Sequence, residues 1–341
     1  MATKHIGIDP GTYTLVKATR GDESKVNIKK EINAFLEMDS GQSQFLLNML
    51  KKQGVPLVSH DGRSYVLGDK AVQLSYSMNQ NYRRPMKDGI LSVEEKDAFS
   101  LLAILLRSLV GDDFEDDAVL CYCIPGVANN ANSNVEYHNK VLTSIFEKYR
   151  PGGKTLRVRS CNEASAIVYA TCESTAYTGI GISFGAGMVN VAYNLFGVEV
   201  FKFSLTNSGD WIDEQSATAT GEKAVYINQT KKDIDLSIEP RNSTERAIKM
   251  HYEIMIGNAI KGIIQGIKKA GGKAHPEAPV DIVVAGGTAS PKGFIDFFKQ
   301  TLENQGGLPK EVPVNSVQLA KDNLYTVATG CLVAAENQSE S

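Results

Sequence analysis

At 341 residues the chain exceeds what one average core organises, so two domains are expected. A formal net charge of −3 and an ordinary globular composition give no reason to expect nucleic acid, whose binding usually needs a basic face, and a charge so near zero lets like copies pack closely. The cysteines, Cys121, Cys123, Cys161, Cys172 and Cys331, contain no Cys-x-x-Cys and have no histidine near a pair, so zinc is not expected and free thiols in a reducing compartment are.

Met1–His5 lacks an apolar stretch, and the most apolar block, Leu101–Leu106, is far short of a membrane span. Neither a leader nor a direct membrane anchor is expected, and the expected location is the cytoplasm. The first structured stretch is Gly7-Ile8-Asp9-Pro10-Gly11-Thr12-Tyr13-Thr14, between the apolar runs Ile6–Ile8 and Leu15–Ala18. It reads as a β-hairpin with a tight Gly-containing turn. Backbone N–H groups and a hydroxyl at such a tip can hold phosphate oxygens. Asp9, ending a buried strand, can hold a hydrated Mg2+ through water. An ordinary surface hairpin is the competing reading.

Val26–Ile28 and Ile32–Leu36 read as strands, Ser43–Lys52 as a helix with Phe45, Leu46, Met49 and Leu50 in its stripe, and Pro56–Ser59 with Ser64–Leu67 as a second hairpin. Ser92 and Glu95 form the pattern of a capping box for a helix with Phe99, Leu102, Leu106 and Leu109 inward, ending at Gly111. Ala118–Ile124 is a buried strand, with Cys121 and Cys123 on one face. A helix over roughly Ser133–Tyr149, with Val135, Leu142, Ile145 and Phe146 inward, connects it to a parallel strand at Thr155–Val158. A short helix covers Asn162–Cys172.

The opening pattern then recurs. Gly179–Ser183 is a strand, Gly185-Ala186-Gly187 a turn, Val189–Tyr193 the returning strand, and Val198–Ser204 a third. Two hairpins of one design, each starting an α/β segment, imply an internal duplication with a nucleotide clamped between the halves. Ser208–Glu214 begins a helix, and the polar stretch Lys223–Glu239 includes a candidate strand at Ile234–Ile238. Asn242 or Ser243 caps a long helix to Ala270 whose apolar side includes Ala247, Ile254, Ile260, Ile263 and Ile267. Its Gly257, Gly262 and Gly266 each cost about 1 kcal/mol, which close packing against another backbone would offset. Val280–Ala285 is a buried strand ending in Gly286-Gly287-Thr288, followed by a helix with Ser290 as cap and Pro291 at its first position. Asp322–Glu336 is the last helix, with Leu324, Val327, Ala328 and Leu332 inward, before a polar tail expected to fray.

Three Gly turns therefore stand in order, at Asp9–Thr12, Ser183–Gly187 and Gly286–Thr288. With Tyr65–Ala71, Arg84–Ile90, Ile124-Pro125-Gly126 and Asn162-Glu163-Ala164, they give a chain that resembles the actin superfamily, and within it bacterial and archaeal actins of the MreB and MamK type, over nearly its whole length. The resemblance implies a duplicated, ribonuclease H-like α/β fold whose two domains enclose ATP or ADP with Mg2+. Domain I would span 1–162, with a small subdomain at about 29–80, and be joined by the helix at about 322–336. Domain II would span 163–321, with a small subdomain at about 215–245.

By resemblance, Asp9, Gly11, Thr12 and the adjoining Tyr13 fall on the first phosphate motif, and Ser183, Gly185, Ala186 and Gly187 on the second. Gly209 and Asp210 fall in a segment similar to the family's GGDxxDE, and Gly286, Gly287 and Thr288 on the adenosine motif. Asp9 is the metal position. Glu163 falls near the attacking water; a plain helix-start carboxylate is its other reading. Glu222, Lys223 and Lys231 are candidates for the adenosine-side Lys/Glu positions. Three departures bear on activity: Ser183 replaces the usual Asp, Met188 the usual Thr, and the first turn is one residue shorter than in MreB. A hydroxyl cannot supply a carboxylate's charge, so weak Mg2+ binding and slow hydrolysis are expected.

The function that follows is an ATP-dependent homopolymer, with contacts between copies on 29–80 and around 205–245. A non-catalytic, chaperone-like scaffold that keeps nucleotide as a structural ligand is the alternative. A small-molecule kinase of the same fold comes third, for want of an Asp base facing an acceptor.

Overall fold

The computed structural model describes residues 2–21, 25–38, 44–55, 57–128 and 134–337. Ser43, Pro56 and Ser133, expected as element starts, and the tail beyond Asn337 lie outside the described residues. The opening hairpin joins β1 (Thr3–Pro10) to β2 (Thr14–Arg20), and β3 (Val26–Ile32) extends it. The chain breaks at Asn33-Ala34, so Ile32 ends β3 rather than starting the next strand. That strand, β4 (Phe35–Met38), belongs to a small sheet.

α1 (Gln44–Lys52), the hairpin β5 (Leu57–His60) and β6 (Arg63–Leu67), and the unanticipated helix α2 (Asp69–Ser77) complete this small lobe. Asp61 and Gly62 at its hairpin tip have φ of 48° and 75°, the left-handed pair that a two-residue turn requires. In α1, Leu50 is buried with Leu47 packed beside it, whereas Met49 is exposed; the side chains of Phe45 and Leu46 lie outside those described.

After the two-residue strands β7 (Met86–Lys87) and β8 (Ile90–Leu91), α3 (Ala98–Val110) starts later than expected. The capping box does not form, because the Glu95 carboxylate pairs with Arg83 at 3.0 Å. Leu102, Leu106 and Leu109 point inward, but Phe99 lies outside the arc they share with Leu101 and Leu105 and is exposed. Gly111 ends the helix with φ of 68°. β9 (Phe114–Ile124), α4 (Val135–Glu147) and β10 (Leu156–Asn162) follow, with β10 parallel to β9 and β9 parallel to β1. The first sheet therefore has the order β10-β9-β1-β2-β3.

α5 (Glu163–Thr171), capped by Asn162, leads to β11 (Gly179–Phe184), β12 (Val189–Leu195) and β13 (Val198–Leu205). α6 (Gly209–Thr220) follows, and then α7 (Ala224–Asp233), a helix hidden from the sequence by its mostly exposed, polar surface. The strand expected at Ile234–Ile238 is absent. Ile234 and Leu236 are buried there as irregular chain, with a single bridge from Asp235 to Lys292.

α8 (Ser243–Ala270) is capped by Asn242. Its Ile254 is exposed, and its glycines face side chains, not backbone: a Cβ on Gly262 would lie 2.4 Å from the Phe203 ring, and one on Gly266 2.7 Å from Phe201. β14 (Val280–Ala285) precedes α9 (Phe294–Asn304). Neither Ser290 nor Pro291 begins α9: Gly293 caps it, residues 287–289 form a separate 3-10 turn, and the Ser290 hydroxyl accepts from Asn323 Nδ2 at 2.9 Å. β15 (Val314–Leu319), a polar strand not anticipated from sequence, precedes α10 (Thr326–Asn337). Leu324 stands before α10 and is exposed rather than inward.

The second sheet has the order β13-β12-β11-β14-β15. Each sheet is thus an antiparallel three-strand meander followed by two parallel strands, which is the duplication expected from the hairpins. α5 and α10 lie between the sheets, α3 and α4 cover the outside of the first, and α6 to α9 that of the second. Period-2 alternation divides the burial: Leu120 and Tyr122 of β9 face the outer core, while Val119, Cys121 and Cys123 face α5 and α10. The repeated Ile-Gly-Ile has a steric cause. A Cβ on Gly7 of β1 would lie 2.2 Å from Ala328 O of α10, and one on Gly181 of β11 2.2 Å from Ala164 O of α5. Each central helix lies directly on its strand at the glycine.

Candidate functional site

A cleft of about 550 Å3 opens between the sheets, lined by residues from all three Gly turns. The first two turns meet at its base. A Cβ on Gly187 would lie 2.5 Å from Thr12 Oγ1 and 2.5 Å from Gly89 N. The first turn is held from below by Asn33, whose side-chain amide donates to Gly11 O (3.0 Å) and whose backbone N–H donates to Tyr13 O (2.9 Å). The second is held from outside. Gly185 O accepts from Gly209 N (3.1 Å) and Thr288 Oγ1 (2.9 Å), and Ala186 O from Asp210 N (2.8 Å) and Ser208 Oγ (2.6 Å). The carbonyls are thereby drawn toward α6 and the third turn. Met188 packs against Gly89, filling the space beside the turn with an apolar side chain.

Two carboxylates stand below the turns. Asp9 is the penultimate residue of β1, and Glu163 begins α5, where Asn162 Oδ1 caps the amides of Ala164 and Ser165. Burial raises the Asp9 pKa to about 8, the nearby Glu163 charge adds to the rise, and the Cys123 thiol, donating to Asp9 Oδ1 at 3.4 Å, opposes it. Burial also raises Glu163, opposed by donation from the Ser183 hydroxyl and the Asn190 amide. Paired acids that resist ionising beside each other gain from a divalent cation, so the donor set fits Mg2+. Ser183 is 2% exposed and lies opposite Asn190 in the hairpin register.

Asn190 was not foreseen. Its Nδ2 donates to Glu163 Oε2 (2.8 Å), while its Oδ1 accepts from Gly126 N (3.2 Å) and the Ser204 hydroxyl. The available signal was a polar residue inside the apolar run Val189–Tyr193.

At the third turn, Gly286 has φ of 97°, and a Cβ there would strike Phe184 O at 2.4 Å. Gly286, Gly287 and Thr288 line the cleft with Leu324 and Tyr325. Tyr252 donates to Thr288 O at 3.0 Å. Glu222 and Lys223 do not line it. They are exposed in the turn between α6 and α7, where Glu222 accepts from Thr244 Oγ1. The wall on that side is α7 itself, through Asn228, Lys231 and Lys232. Lys231 is committed to the fold: it pairs with Asp213 at 2.7 Å, donates to Gly209 O, and is 6% exposed. Burial lowers its pKa against the pull of Asp213.

Two contacts bridge the mouth. Arg84 pairs with Asp210 at 2.7 Å, and Lys232 lies 5.6 Å from the Tyr13 ring centroid. Gly11, Thr12, Tyr13, Ser183, Gly185, Ala186, Gly187 and Asp210 thus share one cleft with Asp9 and Glu163, while Gly209 stands behind the second turn. No helix among the described residues is long and apolar enough to cross a membrane.

A family model described as Volactin matches residues 4–335. No curated protein matches the sequence. Solved structures with the same fold include a MamK double helical filament, with a TM-score of 0.70 and 17% identity over 97% of this chain and 98% of that one. MreB5 of Spiroplasma citri bound to ADP gives 0.62 and 15% over 98% of each chain. The archaeal actin homolog Ta0583 gives 0.60 and 17% over 99% of this chain and 100% of that one. The two-domain α/β architecture is the actin fold these proteins share.

Proposed function

Because the chain belongs to the volactin family, we propose that it is an actin-like cytoskeletal protein that holds ATP or ADP with Mg2+ between its domains and polymerises with copies of itself. One observation carries the reading: the Gly11–Tyr13 and Gly185–Met188 turns meet over the paired carboxylates of Asp9 and Glu163 in one cleft. Self-association draws support from the MamK filament, and nucleotide from the ADP-bound MreB5.

In this reading, backbone N–H groups of both turns and the Thr12 hydroxyl receive phosphate oxygens. Asp9 holds the cation, whose chemistry is to neutralise phosphate charge. Glu163, aimed by Ser183 and Asn190, orients the attacking water. Phosphoryl transfer asks mainly for positioning and neutralisation, which this set supplies. Gly286–Thr288 and Leu324 face the adenosine. Hydrolysis is slow because Ser183 offers a hydroxyl in place of a second charge. Domain I comprises 1–162 with the C-terminal helix, and domain II comprises 163–321. Contacts between copies fall on the small lobe and on the face formed by α6 and α7, where Tyr76, Val225 and Tyr226 are exposed.

Sedimentation tests the polymer. Protein should pellet with ATP and Mg2+ and less so with ADP; protein that stays in the supernatant in every nucleotide state overturns the proposal. A non-hydrolysing scaffold is the second reading, favoured by the Ser183 bond to Glu163. Ser183→Asp should raise phosphate release in the presence of Mg2+, and an unchanged rate would remove our account of that position.

A further inference from the structure

Four of the five cysteines converge between the sheets. Cys121 and Cys123 share the inner face of β9, Cys161 on β10 is registered beside Cys123, and Cys331 comes from α10. Cys161 and Cys331 Sγ are 3.7 Å apart, although 170 residues separate them in sequence. Cys172 lies apart, against Thr171.

We propose that Cys161 and Cys331 are a redox modification site, which a peroxide converts to a disulfide that staples the two passages of chain between the domains. The two sulfurs are already in contact, and a disulfide requires them to close to a bond length of about 2.05 Å. Cys161 is the less buried residue of the two and Cys331 is fully buried, so the proposed order starts at Cys161. Cys161 sulfur attacks a peroxide oxygen; an S–O bond forms, the O–O bond breaks, and hydroxide leaves as water with the Cys161 proton. Cys331 sulfur then attacks the sulfenic sulfur; the S–S bond forms, the S–O bond breaks, and a second water leaves with the Cys331 proton. Two thiols lose two electrons and the peroxide gains them. Hydrogen bonds from Cys161 and Cys331 draw Cys121 below the ordinary thiol range, while Cys161 is raised well above it, chiefly by its hydrogen bond to Cys121, and Cys331 by burial, so both react as thiols and their oxidation is slow.

The position gives the bond a consequence. Cys161 is the penultimate residue of β10, where the chain leaves the first sheet through Asn162 into α5. Cys331 lies in α10, which returns from β15 to β1 and crosses α5 so closely that a Cβ on Gly330 would lie 1.7 Å from Ala166 O. Joining them couples both crossings, and Cys161 is two residues from Glu163. The effect on the cleft rests on the proposed nucleotide reading; the chemistry does not.

The test treats the whole protein with hydrogen peroxide and maps peptides without reduction. A Cys161–Cys331 cross-linked peptide, reversed by dithiothreitol, is expected. In Cys331→Ser, Cys161 should stop at a sulfenic acid trapped by dimedone. Any other pairing, sulfinic acid at Cys161 without a disulfide, or unmodified thiols at both positions overturns the proposal. Release of a fluorescent ADP analogue should slow about tenfold on oxidation and recover on reduction. A cross-link with unchanged release removes the staple. An analogue that never binds, reduced or oxidised, counts against the nucleotide reading and leaves the cross-link result standing.

Discussion

The Glu163 carboxylate is held by uncharged donors, the Ser183 hydroxyl and the Asn190 amide. Asn190 is itself anchored by Gly126 N and Ser204, so in the proposed function its role is to position Glu163 rather than to touch a phosphate. Asn190→Ala should lower single-turnover phosphate release about 10–100-fold while nucleotide affinity in a fluorescence titration stays unchanged. Equal losses in both would place Asn190 in binding.

His138 tests burial. It is 1% exposed, its Nδ1 accepts from Leu91 N at 3.1 Å, and burial lowers its pKa to about 4. The folded state therefore favours the neutral ring. The stability it contributes is complete above the unfolded value of 6.5 and is lost as pH falls toward 4. Urea unfolding across that window should show a loss approaching about 3 kcal/mol, and His138→Gln should flatten it. Residues within a motif, such as Asp9 and Gly187, were legible because a turn is a local pattern. Asn190 and Asn33 were not, since their importance lies in partners from other elements.

Among the elements, both halves carry Ile-Gly-Ile before the acidic or hydroxyl position, and in both a central helix lies on the glycine. The two central helices touch each other at Gly330. Gly330→Ala should therefore force α10 away from α5, costing about 1–3 kcal/mol or more in urea unfolding. Gly272→Ala, where a Cβ meets open space, should stay within about 0.5 kcal/mol. A continuous apolar run such as β14 and a periodic helix such as α4 were readable from sequence. α7 and β15 were not, because each is largely exposed and gives little apolar period. The capping signals at Ser92 and Ser290 misled for a different reason: a cap pattern predicts a helix only if its side chains stay local, and Arg83 and Asn323 engage Glu95 and Ser290 instead.

For the whole molecule, contacts from opposite sides span the mouth of the cleft. Arg84, next to the small lobe, meets Asp210 at the start of α6, and Lys232 covers Tyr13. Arg84→Ala should speed release of a fluorescent ADP analogue about 5-fold or more, because the mouth then has one bridge fewer. Release that remains at the wild-type rate would mean that this ion pair does not gate the cleft.

The amino-acid sequence alone determined the duplicated hairpins, the order of the three Gly turns and the faces that most strands and helices bury. These are consequences of local sterics and of hydrophobic period. Tertiary structure decided which groups meet: Asn190 with Glu163 across 27 residues, Arg84 with Asp210 across 126, and Cys161 with Cys331 across 170. It also moved the far wall of the cleft from Glu222 and Lys223 to α7. Periodicity tells that a face is buried but not against what, and a hydrogen bond between distant residues exists only once the sheets and helices have brought its two ends together.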